Sequence, residues 1–473
     1  MSAKNGAVLS LLALLCACGS PNTPTIIETG SIPEEPTIDI CETDPPTDDI
    51  GIFQCSWEHR ALTLQRQLGL TLPLREAQIF SSHNSYNSSA YPGVSSSDLN
   101  QTRTLPEQFQ LGARSFELDV HWIPHAASGG HAPVTCHGLG AGQDHFGCTA
   151  NDRHLNESLD EIVAFLESPQ GQGQVLLFDL EDSLSPGPLN GGGTTAEQAH
   201  AAALDAITTK LGDYIYQPQQ DSGCQTTPMD LTQQAILDAG KSIILNAPCT
   251  HDGWGNWAFE VNSARPNQKA HTGFSGYPDC DSADFSFTQY RERWVRIWED
   301  TTQLGASTNQ SLQRMSDQNL EDMAHCGVNF ASLDRIDPNP PATGPGNPTY
   351  VGQGINFAAL VWSWAEDKPA LNETLECAYL NVSDGRFHDA SCNEVRSYAC
   401  LQDNALDSPI TDASTLWRVN GSGNGLTAVC PSGYSYGRPE NGWLKQQLVE
   451  AATNAGAAEV WIQYREISTN TWR

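Results

Sequence analysis

Basic residues are scarce in this chain: 24 lysines and arginines stand against 56 aspartates and glutamates among 473 residues, giving a net charge of −32. Phosphate backbones and anionic lipid surfaces repel such a chain, which argues against nucleic acid and against simple electrostatic docking on a membrane. An anionic substrate would therefore need a cation as mediator. Disorder must be local, because 39% of the residues are hydrophobic and 12 are tryptophans.

The apolar run within the first 18 residues, MSAKNGAVLSLLALLCAC, is too short to span a bilayer. It predicts a secretory signal over residues 1–18, and its end resembles a bacterial lipoprotein cleavage site, at which Cys18 would carry the lipid. An ordinary cleaved signal with incidental cysteines is the alternative. In either case we expect an exported protein, anchored as a lipoprotein at the outer membrane or cell surface, or secreted.

The cysteine spacings include no CxxC metal knuckle. Twelve cysteines remain after Cys18, and an even count in an exported protein predicts disulfides. Cys41–Cys55 and Cys136–Cys148 are plausible short loops, whereas the other pairings cannot be read from the sequence.

Composition divides the chain into four parts. Residues 19–52 are rich in Pro, Thr, Glu and Asp, which is typical of a solvated tether. A second stretch dense in Pro and Gly, at 338–354, predicts a boundary or long loop. We therefore expect a barrel domain over residues 53–345 and a C-terminal module over 346–473.

Apolar strands alternate with helical stretches from Trp57 to about residue 340, which favours an irregular TIM-type (β/α) barrel. An open doubly wound sheet is the alternative, but no Gly-rich phosphate loop follows the first strand. INFAALVWSW (355–364) could be an eighth barrel strand or the first strand of the tail. The seven clear strands are AQIFSSH, SFELDVHW, PVTCHG, QVLLFDLED, KSIILNAP, WVRIWED and GVNFASLDRI. The helical stretches include LNESLDEIVAFLES, TTAEQAHAAALDAITTKLG and SLQRMSDQNLEDMAHCG.

Polar signals fall at the ends of four candidate strands. Because side chains alternate along a strand, Glu117 and Asp119 share one face, and so do Asp179 and Glu181. Like charges converging at a barrel mouth repel one another unless a cation lies among them. Asn and carboxylate oxygens suit calcium or magnesium and not zinc. The signals are His83-Asn84, Glu117-Leu-Asp119, His137-Gly138 and Asp179-Leu-Glu181.

The motifs SSHNSY, GARSFELDVHW, CHG and VLLFDLED resemble the X region of phosphatidylinositol-specific phospholipase C, over about residues 77 to 182. The metal-independent bacterial branch of that family carries an Asp after the first His and an Arg where Asp119 stands. This chain has neither, so it resembles the calcium-dependent type. The resemblance implies catalytic histidines at His83 and His137 and calcium ligands at Asn84, Glu117, Asp119 and Glu181.

The mechanism that the resemblance implies agrees with the chemistry of the residues. One imidazole can take a proton from the inositol 2-hydroxyl while the other gives one to the departing diacylglycerol oxygen. Calcium would neutralise the phosphodiester. We place His83 toward the attacking side and His137 toward the leaving group, and expect Asp179 to orient a histidine or to support a ligand.

Three basic residues near later strands, Lys241, Arg293 and Arg296, could contact inositol or phosphate, but solvent exposure is the favoured expectation. Because the chain has no basic cluster, a polyphosphorylated head group is not expected as the preferred substrate.

The tail resembles a C-type lectin-like domain whose halves come in reversed order. Residues 362–401 are similar to the closing half of such a domain, and residues 416–464 to its opening half. The usual WND sugar-site motif is FHD here, at 387–389. We therefore expect a small disulfide-rich β or α+β module packed on the barrel, with glycan contact through exposed Trp and Tyr as the second possibility.

The sequence thus predicts a monomeric, extracytoplasmic, calcium-dependent phosphodiesterase that acts on phospholipid at a membrane surface. A related barrel phosphodiesterase, of the glycerophosphodiester or sphingomyelinase D-like kind, could use the same two histidines and one metal. The third possibility is a non-enzymatic surface lipoprotein whose tail binds glycans or host protein.

Overall fold

The computed structural model describes residues 41, 45–92, 98–220, 223–260, 269–280, 294–302, 314–338, 354–370, 376–410, 412–468 and 471–473. The signal, Cys18 and most of the 19–52 tether lie outside these residues, as does the domain boundary predicted at 345. No helix in the described part of the chain has the length and apolarity needed to cross a membrane.

Eight parallel strands form a curled sheet in which neighbours follow chain order, and the last strand pairs with the first. This is the strand order of a TIM-type barrel, as predicted. The barrel is irregular, because β7 and β8 have two residues each and no pairing joins them among the described residues. The strands are β1 (Ile79–Ser82), β2 (Ser115–His125), β5 (Leu176–Ser183), β6 (Ile243–Ala247), β7 (Phe259–Glu260), β8 (Lys269–Ala270), β9 (Arg296–Trp298) and β10 (Phe330–Leu333).

Six of the seven predicted strands are barrel strands. PVTCHG instead contributes to β3 (Gly130–Thr135), which pairs antiparallel with β2 and with the short β4 (Arg153–His154). Only four residues separate β2 from β3, and a connection that short allows a hairpin but no parallel crossover. INFAALVWSW is not a strand: it begins with a 3₁₀ turn, Phe357–Leu360, and ends at Trp364, which bridges to the tail.

The three predicted helices are confirmed. In α4 the buried Leu155, Leu159, Ile162 and Leu166 recur every three or four residues, so one face packs toward the sheet. The helices of the barrel domain are α1 (Asp49–Gln54), α2 (Trp57–Leu68), α3 (Leu105–Gln110), α4 (Leu155–Glu167), α5 (Ala196–Leu211), α6 (Gln233–Asp238) and α7 (Asp317–Cys326). Short 3₁₀ turns lie at Gly69–Thr71, Leu74–Glu76, Ala141–Gln143, Trp254–Asn256 and His271–Gly273.

The tail forms a second, mostly antiparallel sheet with one helix, in agreement with the expected α+β module. Its central order is β12-β11-β16-β13-β14, with β15 beside β13 and β17 beside β16. The lectin-like resemblance and the glycan contact stay predictions. The elements are β11 (Glu376–Asn381), β12 (Arg386–Ser391), β13 (Arg396–Gln402), a 3₁₀ turn (Ala413–Thr415), β14 (Trp417–Gly423), β15 (Tyr434–Tyr436), α8 (Gly442–Asn454), β16 (Glu459–Ser468) and β17 (Thr471–Trp472).

The N-terminus of α8 packs on the barrel, and the contact between them is called the seam below. At the seam, Asn441 Nδ2 donates to the carbonyl oxygen of Glu76 at 2.9 Å, and the backbone N–H of Gly442 donates to Gln78 Oε1 at 2.7 Å. Lys445 Nζ lies 3.1 Å from Nε2 of His325, in α7. One continuous hydrophobic core includes residues of both the barrel and the tail.

All twelve cysteines that follow Cys18 form disulfides, as the even count predicts, and both short loops are among them. Six bridges in one chain are typical of an oxidising, extracytoplasmic compartment. The bridges are Cys41–Cys55, Cys136–Cys148, Cys224–Cys249, Cys280–Cys326, Cys377–Cys392 and Cys400–Cys430.

Candidate active site

The chain turns sharply where β1 ends, and this turn brings Asn84 against β2. Asn84 has a φ of +43°, in the left-handed region that asparagine tolerates better than most residues. Its backbone N–H donates to Glu117 Oε2 at 3.3 Å, and the N–H of Ser85 donates to the carbonyl oxygen of Glu117 at 3.1 Å. The Asn84 side chain donates to Asn100 Oδ1 at 3.2 Å. These hydrogen bonds thus fix the end of β1 against Glu117.

Three of the predicted metal ligands meet in the barrel mouth. The register pairs Asp119 of β2 with Glu181 of β5, and Glu117, Asp119 and Glu181 each place an oxygen within 4.8 Å of the other two. Burial, followed by the charges of Glu181 and Glu117, raises the pKa of Asp119 well above its usual range.

Asp119 also carries the clearest sign of a missing partner. Tyr86 donates to Oδ2 of Asp119 at 2.7 Å, while the buried Oδ1 has no hydrogen-bond partner among the described residues. A buried carboxylate oxygen without a donor is costly. An all-oxygen donor set with such an atom fits a hard divalent cation.

Asp179 of β5 pairs with Glu117 of β2, two residues before the pair that Asp119 forms with Glu181. Asn246, at the end of β6, donates to Asp179 Oδ1 at 3.3 Å and accepts a hydrogen bond from the Thr227 hydroxyl at 2.9 Å. The supporting role of Asp179 stays a prediction. Asn246 itself was not predicted, although it ends an apolar strand as the other site residues do.

Arg296 is not solvent-exposed, so the sequence-based expectation is wrong: only 2% of it is exposed. It begins β9 and points into the barrel, where both terminal nitrogens donate to the Glu117 carboxylate, Nη1 at 2.8 Å, while Nε donates to Ser332 Oγ at 2.8 Å. Burial opposes its charge, but Glu117 outweighs burial and raises the pKa of Arg296. Lys241 lies at the opposite end of β6 and donates to the carbonyl of Asp213. Arg293 lies outside the described residues.

His83 is held by a carboxylate that the sequence analysis missed. Its Nδ1 donates to Asp334 Oδ1 at 2.9 Å, and its ring stacks on Trp298 with centroids 5.5 Å apart. Asp334 follows β10 and is fully buried, with Oδ2 accepting from the backbone N–H and the hydroxyl of Thr301. Burial alone would lower the pKa of His83, but Asp334 and then Glu117 raise it to about 9. Nε2 of His83 lies 3.8 Å from Glu117 Oε2.

His137 follows β3 on a loop that the Cys136–Cys148 disulfide closes. The loop is packed so tightly that a Cβ on Gly138 would lie 2.6 Å from Cys148 Sγ, which explains the glycine of the CHG motif. Nδ1 of His137 lies 3.9 Å from Asp98 Oδ2. Burial lowers the pKa of His137, although the charges of Asp300 and Asp98 oppose this, and the smaller effect of the His83 charge lowers it further. The two histidines therefore share one electrostatic environment, with pKa values displaced in opposite directions.

Residues 48–340 match the family model of the Rv2075c PI-PLC-like domain. The chain belongs to this family. Two curated relatives are the uncharacterized proteins Rv2075c and MT2135 from two strains of Mycobacterium tuberculosis. Each is 30% identical to this chain over 422 residues, which cover 86% of this chain and 80% of the relative.

Solved structures of phosphatidylinositol-specific phospholipases C are also similar to the PI-PLC-like domain. The Staphylococcus aureus enzyme is 11% identical with a TM-score of 0.36, covering 59% of this chain and 93% of its own. The Listeria monocytogenes enzyme is 13% identical with a TM-score of 0.33, covering 56% of this chain and 90% of its own. Membership of the calcium-dependent X-region type stays a prediction.

Two exposed apolar side chains stand on loops at the mouth of the PI-PLC-like domain. Phe146, 73% exposed, belongs to the loop that carries His137, and Leu189, 86% exposed, belongs to the loop after β5. The two loops are joined because Asp144 Oδ1 accepts hydrogen bonds from the backbone N–H groups of Leu189 and Asn190, at 3.1 and 3.0 Å. The pair forms an apolar rim beside the site.

Proposed function

We propose that this protein is a calcium-dependent phosphodiesterase that cleaves phosphatidylinositol-type phospholipids to diacylglycerol and a cyclic inositol phosphate. The observation that carries the proposal is the convergence of the buried His83, the half-buried His137 and a three-carboxylate cluster at one barrel mouth. Membership of a PI-PLC-like family supports the reaction class.

Calcium would be held by Glu117, Asp119, Glu181 and Asn84. Among the described residues, the carboxylates of Glu117, Asp119, Asp179 and Glu181 all lie close to the Arg296 guanidinium and outnumber it, so a phosphodiester entering the mouth meets excess negative charge. A bound divalent cation supplies the missing positive charge and stabilises charge that develops on the phosphoryl oxygens.

The two histidines divide the proton transfers. Asp334 fixes the His83 ring with Nδ1 protonated, which leaves Nε2 directed toward Glu117 and stabilises the imidazolium that forms when Nε2 takes a proton. In the metal-free chain the raised pKa of His83 favours its protonated form and the lowered pKa of His137 favours its neutral form, which is the reverse of what these roles need. The assignment of His83 as the acceptor of the hydroxyl proton and His137 as the donor to the leaving oxygen therefore rests on the contact between Asp334 and His83, and it requires that a cation beside Glu117 lower the pKa of His83.

Arg296 offers the competing mechanism. Its guanidinium already neutralises Glu117 with two hydrogen bonds, so it could supply the positive charge without metal. Chelator therefore separates the two mechanisms.

The test is hydrolysis of phosphatidylinositol in detergent micelles by the chain without its signal, in calcium and in chelator. His83→Ala and His137→Ala should each lose roughly 10²–10⁴-fold in rate. His388→Ala is the matched control, because the His388 ring is hydrogen-bonded to Asp384 at 2.7 Å, as His83 is to Asp334, but lies in the tail. Cyclic inositol phosphate should be the first product.

Each other outcome removes a defined part of the proposal. Full turnover in chelator would refute calcium and favour Arg296. An inactive wild-type protein that still binds calcium would refute phosphatidylinositol as substrate and favour a glycerophosphodiester or sphingomyelinase D-like reaction.

A further inference from the structure

A second cluster, of two imidazoles and one carboxylate, lies on the outer face of the barrel sheet. Asp182, His200 and His251 each offer a ligand atom within 4.8 Å of the other two. Asp182 follows Glu181 in β5, and because side chains alternate along a strand, it faces away from the mouth and toward α5, which carries His200. The proposed catalytic chemistry uses none of the three.

The hydrogen bonds of the two imidazoles decide which nitrogens can bind a metal. Nδ1 of His200 lies 2.7 Å from the carbonyl oxygen of Ala196, and Nδ1 of His251 lies 2.9 Å from Glu197 Oε1. Both oxygens only accept, so both Nδ1 atoms carry a proton, and Nε2 is the nitrogen of each ring left to bind a metal. Nε2 of His200 itself donates to the Asp182 carboxylate here, so it must release that proton when a metal binds. Metal-bound histidines commonly donate from the other nitrogen to a carbonyl or a carboxylate in this way.

The remaining contacts draw the three groups together. Nε2 of His200 lies 2.8 and 3.0 Å from the two carboxylate oxygens of Asp182. The His251 ring stacks on the His200 ring with centroids 3.5 Å apart and an interplanar angle of 23°. A metal ion lies in the plane of each imidazole that binds it, and these two ring planes are nearly parallel, so the His251 ring must turn for both rings to bind one ion. His200 is only 1% exposed.

We propose that Asp182, His200 and His251 bind a zinc ion. Two imidazoles and one carboxylate are a borderline donor set that suits zinc and disfavours calcium, whereas the oxygen-only mouth has the opposite preference. Tetrahedral zinc with bonds of about 2.0–2.1 Å places its ligand atoms roughly 3.3 Å apart. Nε2 of His200 and the Asp182 oxygens reach that spacing with a small outward movement.

The ion would join three separate segments: the end of β5, helix α5 and the loop after β6. That loop is already tied by the Cys224–Cys249 disulfide. Asp182 is the neighbour of Glu181, so the ion would also fix the backbone that presents a proposed calcium ligand. We therefore expect zinc to raise the thermal stability of the whole chain. This inference does not depend on the proposed reaction.

The experiment titrates zinc into the full, tag-free chain after chelator treatment, with calcium saturating the mouth. We expect one zinc ion per chain, a rise in melting temperature, and affinity at least tenfold weaker in His251→Ala and in His200→Ala. His251 is half-buried on a loop, so its variant stays folded even if the buried His200 variant does not. His388→Ala is the control that should bind zinc as the wild type does.

Cobalt provides a spectroscopic check, because an imidazole-ligated tetrahedral ion gives visible absorption that His251→Ala should abolish. No zinc bound by the wild type beyond the level of the His251→Ala variant would overturn the proposal and leave His200 and Asp182 as a simple ion pair. Zinc binding that survives in His251→Ala and is lost in Asp119→Asn would place the ion in the mouth, and would overturn it equally.

Discussion

The barrel mouth and the seam bury polar groups in opposite ways. At the seam, Asn441 and Gly442 donate to acceptors on the barrel at ordinary hydrogen-bond distances. In the mouth, like-charged carboxylates crowd together, and one oxygen of Asp119 has no donor within the described part of the chain. Satisfied groups hold the tail on the barrel, whereas the unsatisfied oxygen lies where the proposed cation would bind. Lys445 is the exception at the seam, since it is a buried ammonium.

The largest effect should come from removing one of the crowded carboxylates in the mouth. Asp119→Asn keeps the shape of the side chain but removes the carboxyl group, whose pKa is raised by burial and by the charge of Glu181. We expect catalysis to fall by about 10²-fold or more, because a proposed cation ligand is lost, and the calcium-free chain to become more stable. Rates in micelles and thermal melts in chelator measure the two changes.

Asp205→Asn, on the exposed face of α5, is the control for a change of net charge. A less stable Asp119→Asn protein in chelator would mean that the mouth carboxylates are not in conflict, and the contrast with the seam would fail.

A smaller effect is expected at the rim of the mouth, where exposed groups are apolar instead of charged. Replacing Phe146 or Leu189 by serine should weaken binding to phosphatidylinositol vesicles by roughly tenfold each, since burying such a side chain in lipid gains about 1.5–3 kcal/mol. Hydrolysis of a soluble, monomeric substrate should not change. Vesicle sedimentation measures the first and a chromogenic substrate the second.

Val395→Ser removes an equally exposed apolar side chain, 72% accessible, from the tail and should leave vesicle binding intact. Equal losses in the Val395 and rim variants would show that the tail touches membrane as much as the mouth does.

The smallest effect concerns Lys445. Burial, and then the charge of Arg386, lowers its pKa from 10.5 to about 7. Between these pH values the unfolded chain binds the proton that the folded chain releases, so this group lowers stability as the pH falls from about 10.5 to 7. Lys445→Met should therefore gain stability over the wild type, by a few degrees at about pH 7 and by less at about pH 10.

Thermal melts across that pH range provide the measurement, with Lys210→Met on the more exposed surface of α5 as the control. A Lys445→Met advantage that is constant with pH would mean that packing, and not the ammonium charge, sets the cost at the seam.

The polar residues at strand ends were sufficient to predict that His83, Glu117, Asp119 and Glu181 lie close together, because parallel barrel strands end at one mouth. The same rule applied to LDR at the end of β10 would have found Asp334. It could not show that Asp334 is the partner of His83, since 251 residues separate them and only the pairing of β10 with β1 joins them.

Arg296 was misjudged for a different reason. A lone arginine in WVRIWED is consistent with an exposed strand position or with a buried ion pair, and only the curvature of the sheet places it against Glu117. The two-residue strands β7 and β8 are too short to leave any periodic pattern.

The disulfide beside His137 also sets when the proposed enzyme can work. Cys136 precedes His137, and Cys148 packs on Gly138, so one of the two proposed catalytic histidines lies on a loop that oxidation closes. A newly made chain in a reducing cytoplasm has no such bridge. Export would then serve as the activation step. The lipids on the cytoplasmic face of the producing cell's membrane would meet only a chain whose His137 loop is not yet closed.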